Sequence, residues 1–513
     1  MEEDHKNTIK NTDQIMTYSI KQCFIESCQS GHVPMTGHDS LDRDEIINLF
    51  INTCVCGHLH IIKWLHNMFQ ITPEEVGIND HEAFRWSCGR GHLEVARWLY
   101  ETFGITFDDA KICDNFAFRL SCTNGYLDIA KWLHQTFQIT PSEAKSINND
   151  AFRKSCSHGH LNVAQWLFQN FQITPDEAKI SDNDAFRKSC SHGHLNVAQW
   201  LFQNFQITPD EAKIYDNYAF RKSCYYDHLE ISQWLYNTFH ITSEEVKTDK
   251  YQVFRWSCKN GHLVVAKWLC DEFHITPKEA RKRNNYAFWQ SCAKGHLDVA
   301  QWLYETFHIT AEEAKMDDNK MFVHSCWYGH IKVAQWLHET FHITSEEVNQ
   351  AFTLSCENGH LNVVIWLHET FHIKMNMIDN EAFLYSCHQG HLEVVHWLHD
   401  TFHLTPEEAK IHDNNAFIWS CIFGRLDVVK WLHNTFHMTY EEVMTNNCEV
   451  FHKSCINGQL DVVKWLHNTF HIKSEEVKII FQADNLPKNV RQWLVNTFNL
   501  VDTFNLVGGQ VSP

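Results

Sequence analysis

Glycine and proline are scarce in this chain, 19 and 9 of 513 residues, far below the quarter or more that the two together reach in low-complexity segments. With 44% of residues hydrophobic, a wholly disordered chain is excluded. Long apolar runs are missing: no stretch of about 18 uninterrupted apolar residues is present to span a bilayer. The opening MEEDHKNTIKNTDQ also lacks the apolar stretch of a secretory signal. The expectation is an intracellular, cytoplasmic protein with no membrane partner. Basic charge is in short supply, since 43 Lys and Arg face 63 Asp and Glu for a formal net charge of −20. That balance repels phosphate backbones, so protein partners are expected and nucleic acid is not. A Gly-rich phosphate loop after a strand, a nucleophile elbow and an isolated Ser/His/Asp constellation are all lacking. No catalytic residue and no cofactor is assigned, and a non-enzymatic protein is expected.

What the chain has in abundance is one repeated pattern. The dipeptide Trp-Leu begins at Trp64, Trp98, Trp132, Trp166, Trp200, Trp234, Trp268, Trp302 and Trp336, eight steps of 34 residues. Trp366, Trp397, Trp431, Trp465 and Trp493 follow at steps of 30, 31, 34, 34 and 28. Ten residues before each of the first thirteen lies a Cys, from Cys54 to Cys455, and four residues before each Cys lies a Phe. Phe24 and Cys28 repeat the pairing once more, and near the C-terminus Ala483 stands in the Cys position ahead of Trp493. Residues 151–180 and 185–214 are identical, so the array has grown by copying its repeat. This arithmetic divides the chain into an N-terminal region with a degenerate capping repeat (1–45), thirteen fuller repeats (46–478) and a C-terminal capping repeat with tail (479–513). Atypical end repeats are expected of a solenoid, whose terminal repeats have one neighbour each.

One repeat reads AFRWSCGRGHLEVARWLYETFGIT from Ala83. Phe84, Ser87 and Cys88 fall at i, i+3 and i+4, one face of a short helix whose small residues allow close contact. Gly91 permits a tight turn, and Gly recurs there in twelve of the thirteen fuller repeats, with Asp227 as the exception. In the second helix Leu93, Ala96, Leu99 and Phe103 form one stripe and Val95 with Trp98 another, so it needs cover on two sides from neighbouring repeats. Thr72-Pro-Glu-Glu, Thr140-Pro-Ser-Glu, Thr174-Pro-Asp-Glu, Thr276-Pro-Lys-Glu and Thr405-Pro-Glu-Glu carry the signature of a capping box with Pro at the first helical position, and predict a third, short helix per repeat.

The segment Ser-Cys-x-x-Gly-His-Leu-x-Val-[Ala/Val]-x-Trp-Leu resembles the helix-turn-helix core of ankyrin repeats over nearly the whole chain. Ser87-Cys88 stands where ankyrins usually carry Ala-Ala, and Gly91-His92-Leu93 matches directly. Two features depart from the family: the Thr-Pro-Leu-His opening is replaced by Ala/Phe-led segments, and the connection reads as helical where ankyrins carry a β-hairpin. The Trp- and His-rich repeats look like ankyrin-type arrays expanded in giant DNA viruses and amoebae, which would make the host cytoplasm the location if the source is viral. A 34-residue period also fits tetratricopeptide repeats, but their Trp-x-x-Leu-Gly-x-x-Tyr pattern is missing. The expected fold is an all-α, ankyrin-like solenoid of about 14–15 repeats. The resemblance implies a monomeric scaffold or adaptor that binds a protein partner on its concave face; by analogy, a substrate adaptor for ubiquitin transfer is an alternative.

Four residue sets were weighed as sites. Fourteen of the 19 Cys occupy the Phe+4 position; as buried thiols they behave as small apolar side chains, and repeats stacked about 10 Å apart place them too far apart to bridge. Each Cys-x-x-Gly-His offers two candidate zinc ligands separated by a turn, where a structural site needs four, so no metal is assigned and the His is expected to hydrogen-bond across the inter-repeat turn. His240, His274, His308, His342, His372, His403, His437 and His471 follow the Phe after Trp-Leu in eight successive repeats, while Gln70, Gln138, Gln172 and Gln206 hold that place earlier. A row of His is a candidate pH-sensing surface, giving a pH-responsive binding protein as a further alternative. Trp86, Trp256, Trp289, Trp327 and Trp419 lie outside the Trp-Leu register, on the first helix or its following turn, and form the candidate interaction surface, because aromatics are favoured interface anchors.

Overall fold

The computed structural model describes residues 26–32, 41–344, 348–374, 381–443, 445–481, 486–498 and 500; Cys23, Phe24 and Ala483 lie outside them. Every regular element among the described residues is a helix, so the connection between repeats is helical and not a β-hairpin. The chain forms two compact units, Met1–Asp249 and Lys250–Pro513. Within each, most repeats among the described residues consist of a first helix, a second helix and a one-turn helix, as in Ile78–Gly89, Leu93–Phe103 and Phe107–Ala110.

The buried columns are those the pattern marked. Ala83, Phe84, Ser87 and Cys88 are fully buried, as are their counterparts Ala117, Ser121 and Cys122 one repeat on. Small side chains let successive first helices touch closely enough for Ser87 Oγ to lie 2.6 Å from the Ala83 carbonyl of its own helix and 3.2 Å from the Cys54 carbonyl of the preceding repeat. Ser121, Ser325 and Ser420 make the same pair of contacts. A buried hydroxyl is thereby satisfied without a second side chain. The register Trp cements the stack from the other side: Trp132 packs edge-on against Phe137 of its own helix at 5.8 Å and meets Phe84 and Tyr100 of the preceding repeat at 6.2 and 6.1 Å. Offset and edge-to-face pairs of this kind add about 0.5–1.5 kcal/mol each beyond area burial.

The turn between the helices explains Gly-His. Gly125 has φ +85°, and a Cβ there would fall 2.4 Å from Nδ1 of His160 in the next repeat. Glycine is therefore required twice, for its left-handed backbone and for the ring laid against it. Asp227 holds the same left-handed conformation at φ 66°, which Asp tolerates better than most residues. The ring bridges repeats as expected: His92 Nε2 lies 3.0 Å from the Val55 carbonyl and His58 Nε2 lies 2.8 Å from that of Gln29. Burial lowers the pKa of His92, and the Val55 hydrogen bond opposes this only partly.

Linkers whose opening residues are described throughout begin with the predicted short helix. Thr140 Oγ1 accepts from the Glu143 amide at 3.3 Å while Glu143 Oε2 accepts from the Thr140 amide at 2.8 Å, with Pro141 at the first position. Beyond a two-residue link, three consecutive residues such as Cys113-Asp114-Asn115 and Ile147-Asn148-Asn149 are all left-handed, with φ between 51° and 58°. One turn of left-handed backbone costs non-glycine residues about 1–2 kcal/mol each. An arginine in the following first helix offsets that cost: Arg119 Nε donates to the Asp114 carbonyl at 2.8 Å and Nη2 to Cys113 at 3.2 Å. Arg85, Arg153 and Arg187 hold their own turns in the same way. The third residue of the turn is a buried Asn in Asn115, Asn149, Asn183, Asn217 and Asn285.

Candidate binding surface on the first helices

Four sets of positions answer the candidate sites in turn. The thiols at Phe+4 are buried and free; burial pushes Cys224 up to about 12 and Cys28 to about 11, so at neutral pH they are protonated packing groups. The exposed Cys56 and Cys113 lie outside that column. Among the described residues no three His, Cys, Asp or Glu side chains converge as a metal group.

The eight-His row occupies one recurrent conformation. His240, His274, His308, His342, His372, His403, His437 and His471 have φ between 49° and 52° and are exposed. They follow the end of the second helix, where Gln70 and Gly104 take the same left-handed backbone. The residue at this place ends a helix, and its carbonyl is a docking point for the linker base of the preceding repeat: Lys315 Nζ reaches His342 O at 3.1 Å and Arg281 Nη2 reaches His308 O at 2.9 Å. The same bases meet the capping acid. Lys111–Glu143, Lys145–Glu177, Lys179–Glu211 and Lys213–Glu245 pair at 2.8–3.0 Å across 32 residues, and Lys410–Glu442 at 2.7 Å. The hydrogen bond from Lys410, with that from the Thr439 amide, holds Glu442 below the usual carboxylate range.

The five off-register Trp all sit on first helices, four of them half-buried and Trp419 exposed. Trp86, Trp256 and Trp419 occupy Phe+2, Trp289 Phe+1 and Trp327 Phe+5. Trp86 is edge-on to Phe116 at 5.9 Å with Arg90 over its ring at 5.7 Å. Trp289, Trp327 and His324 form a connected group: the His324 ring lies 5.7 Å from Trp289 and 5.1 Å from Trp327, and Trp327 stacks on Tyr328 at 5.2 Å. Trp419 and Phe423 stack at 5.7 Å, with His388 4.2 Å from Phe423. Both remain open, 39% and 42% exposed. The off-register Trp therefore collect neighbours that spacing alone did not reveal, chiefly Tyr328, Phe423, His324 and His388. All four lie at Phe+2, Phe+5 or Phe+6, so a column-by-column comparison of repeats is the signal that finds them.

Two family models match the chain, both for ankyrin repeats: one of three copies over residues 385–476 and one of many copies over residues 151–202. The chain is an ankyrin-repeat protein. Among curated proteins none matches it. Ankyrin repeats are protein–protein interaction modules and ankyrin-repeat proteins are typically non-enzymatic scaffolds, so a protein partner follows for this one. No helix among the described residues is long and apolar enough to cross a membrane.

Proposed function

We propose that this ankyrin-repeat protein is a non-enzymatic scaffold or adaptor whose first-helix face holds a protein partner, with Trp86, Trp256, Trp289, Trp327 and Trp419 as anchors. The observation that carries the reading is the Trp419–Phe423 stack, a pair of large rings left more than a third exposed on an ordered helix. A rigid, open aromatic pair supplies contact area at low entropic cost. The test is proximity crosslinking from cell lysate with the intact chain and with a variant carrying all five Trp as Ala, shown by circular dichroism to stay folded. Recovery of a partner by the intact chain alone supports the reading, and equal recovery by both contradicts it.

A second reading is favoured by the exposure of all eight row His at one recurrent cap: partner binding that responds to acid. Replacing the eight by Gln would abolish any change in partner affinity between pH 5 and 7.5, and an unchanged pH response would sink this reading.

A further inference from the structure

Two columns of lysine run through the N-terminal unit and differ in what they meet. The linker column, Lys111, Lys145, Lys179 and Lys213, is neutralised by the capping acid of the next repeat. The second column, at Phe+2 of the first helices, holds Lys154, Lys188 and Lys222 in three successive repeats. Among the described residues Lys154 and Lys188 form no ion pair, and Lys222 Nζ stands over the rings of Tyr225 and Tyr226 at 4.9 and 5.7 Å. The acids four residues before Lys154 and Lys188 are committed to arginines: Asp150 to Arg119 at 2.7 Å and Arg153 at 3.4 Å, Asp184 to Arg153 at 2.9 Å and Arg187 at 3.6 Å. The residue after the leucine that opens the second helix is acidic in Glu94 and Asp128 but is Asn162 and Asn196 in the repeats that carry Lys154 and Lys188; the repeat of Lys222 has Glu230 there. In a chain of net charge −20, this face is a cationic stripe.

We propose that Lys154, Lys188 and Lys222 bind an acidic peptide segment of a partner protein in polyproline II conformation, with a carboxylate at every third residue. The proposal rests on the reading of the first-helix face as the binding surface, and adds the partner's chemistry. Packed helices lie about 8–10 Å apart, which sets the spacing of the lysines. A polyproline II chain repeats every three residues and about 9.3 Å, so carboxylates at i, i+3 and i+6 share one face and meet successive lysines. A β-strand would turn every second one away. Tyr226, 49% exposed beside Lys222, offers the aromatic surface on which such chains dock.

The experiment is a fluorescence-anisotropy titration of the full chain with a labelled peptide of four Glu-Pro-Ala triplets. The Lys154→Gln/Lys188→Gln/Lys222→Gln variant is expected to bind about tenfold more weakly at low salt. Lys63→Gln/Lys131→Gln/Lys267→Gln makes the same change of charge at exposed second-helix positions, and is expected to change affinity less than about twofold. A peptide of the same composition with its four Glu contiguous is expected to bind more weakly than the triplet peptide. Equal affinity of the stripe variant, equal affinity for the contiguous peptide, or tighter binding of oligo-dT would each overturn the proposal. If no chain binds the triplet peptide while the five-Trp comparison still recovers a partner, the stripe proposal falls and the binding-face reading stands.

Discussion

The N-terminal unit and the C-terminal unit share a buried skeleton and differ on the first-helix face. In Met1–Asp249 the Phe+1 column is Ile51 followed by Arg85, Arg119, Arg153, Arg187 and Arg221, and Phe+2 is Asn52, Trp86 and Leu120 followed by Lys154, Lys188 and Lys222. In Lys250–Pro513, after Arg255, Phe+1 passes through Trp289, Val323, Thr353, Leu384, Ile418 and His452, and Phe+2 is Trp256, Gln290, His324, Leu354, Tyr385, Trp419 and Lys453. The buried Phe, Ser, Cys and Gly hardly change. The comparison teaches that the fold is carried by columns facing the neighbouring repeats, while the Phe+1 and Phe+2 columns change character, with arginine and lysine concentrated in the first unit and more aromatic and aliphatic residues in the second. Regularity differs as well: the 34-residue step holds throughout the N-terminal unit, while steps of 30 and 31 occur in the other.

The sharpest way to break this comparison is at the turn glycine. Gly125→Ala would meet both the left-handed backbone and the His160 ring at 2.4 Å, whereas at Gly458 the nearest atom is Pro487 Cγ at 3.3 Å. The expected loss is about 2–4 kcal/mol for Gly125→Ala and about 1–2 kcal/mol for Gly458→Ala, read from urea midpoints. Equal losses would mean that the ring contact contributes nothing. Next is the arginine column. Arg153→Ala removes the donor to the Asn148 carbonyl at 2.7 Å and the pair with Asp184, for an expected loss of about 1–3 kcal/mol. Thr353→Ala at the same column of the C-terminal unit should stay within about 0.5 kcal/mol. A comparable loss at both would show that the column is structural everywhere.

Acid separates parts of the C-terminal unit. Burial lowers the pKa of His296, His330, His360 and His391, opposed by the Asp298 charge at His296 and by hydrogen bonds to backbone carbonyls at all four. His160 and His194 of the N-terminal unit shift the same way, burial again leading. A histidine whose folded pKa lies below its unfolded value of about 6.5 binds its proton more readily when unfolded, so its stabilising contribution is present above pH 6.5 and is lost as the pH falls through the folded pKa. Arg425 and Gln459 take the His place at the last two turns, against Gly390 and Gly424. Hydrogen exchange at pH 5.5 against pH 7.5 should therefore show the His-bridged repeats loosening while residues 454–463, where Gln459 replaces the bridging His, change least. Uniform loosening would contradict the assignment. The smallest effect expected is at the caps: Thr174→Ala, which removes the acceptor for the Glu177 amide, should cost about 1 kcal/mol in thermal or urea unfolding. No loss would show that the short helix owes nothing to its box.

Much of the skeleton was legible in the sequence because one cause acts on one residue type. Capping boxes, the turn glycine, small residues at Ser-Cys and the bridging His follow from local rules, and copying repeated each about a dozen times. The left-handed turn was not legible. Asn148-Asn149 and Asp114-Asn115 read as ordinary polar linkers, and nothing in composition says that three consecutive residues enter the left-handed region. The arginine clamp was hidden with it, since a column of Arg is visible but its partners are carbonyls whose direction only the turn sets. The His row shows the converse: its spacing was plain, yet the shared left-handed cap that also takes Gln70 and Gly104 emerged only from backbone geometry.

The central claim is that the off-register aromatics serve recognition while the register aromatics serve the fold. The most direct measurement is the thermal melt of two triple variants followed by circular dichroism, Trp256→Ala/Trp327→Ala/Trp419→Ala and Trp132→Ala/Trp166→Ala/Trp200→Ala. The account predicts that the first melts within a few degrees of the intact chain and that the second loses helical structure at a far lower temperature. The reverse order, or equal large losses in both, would contradict it.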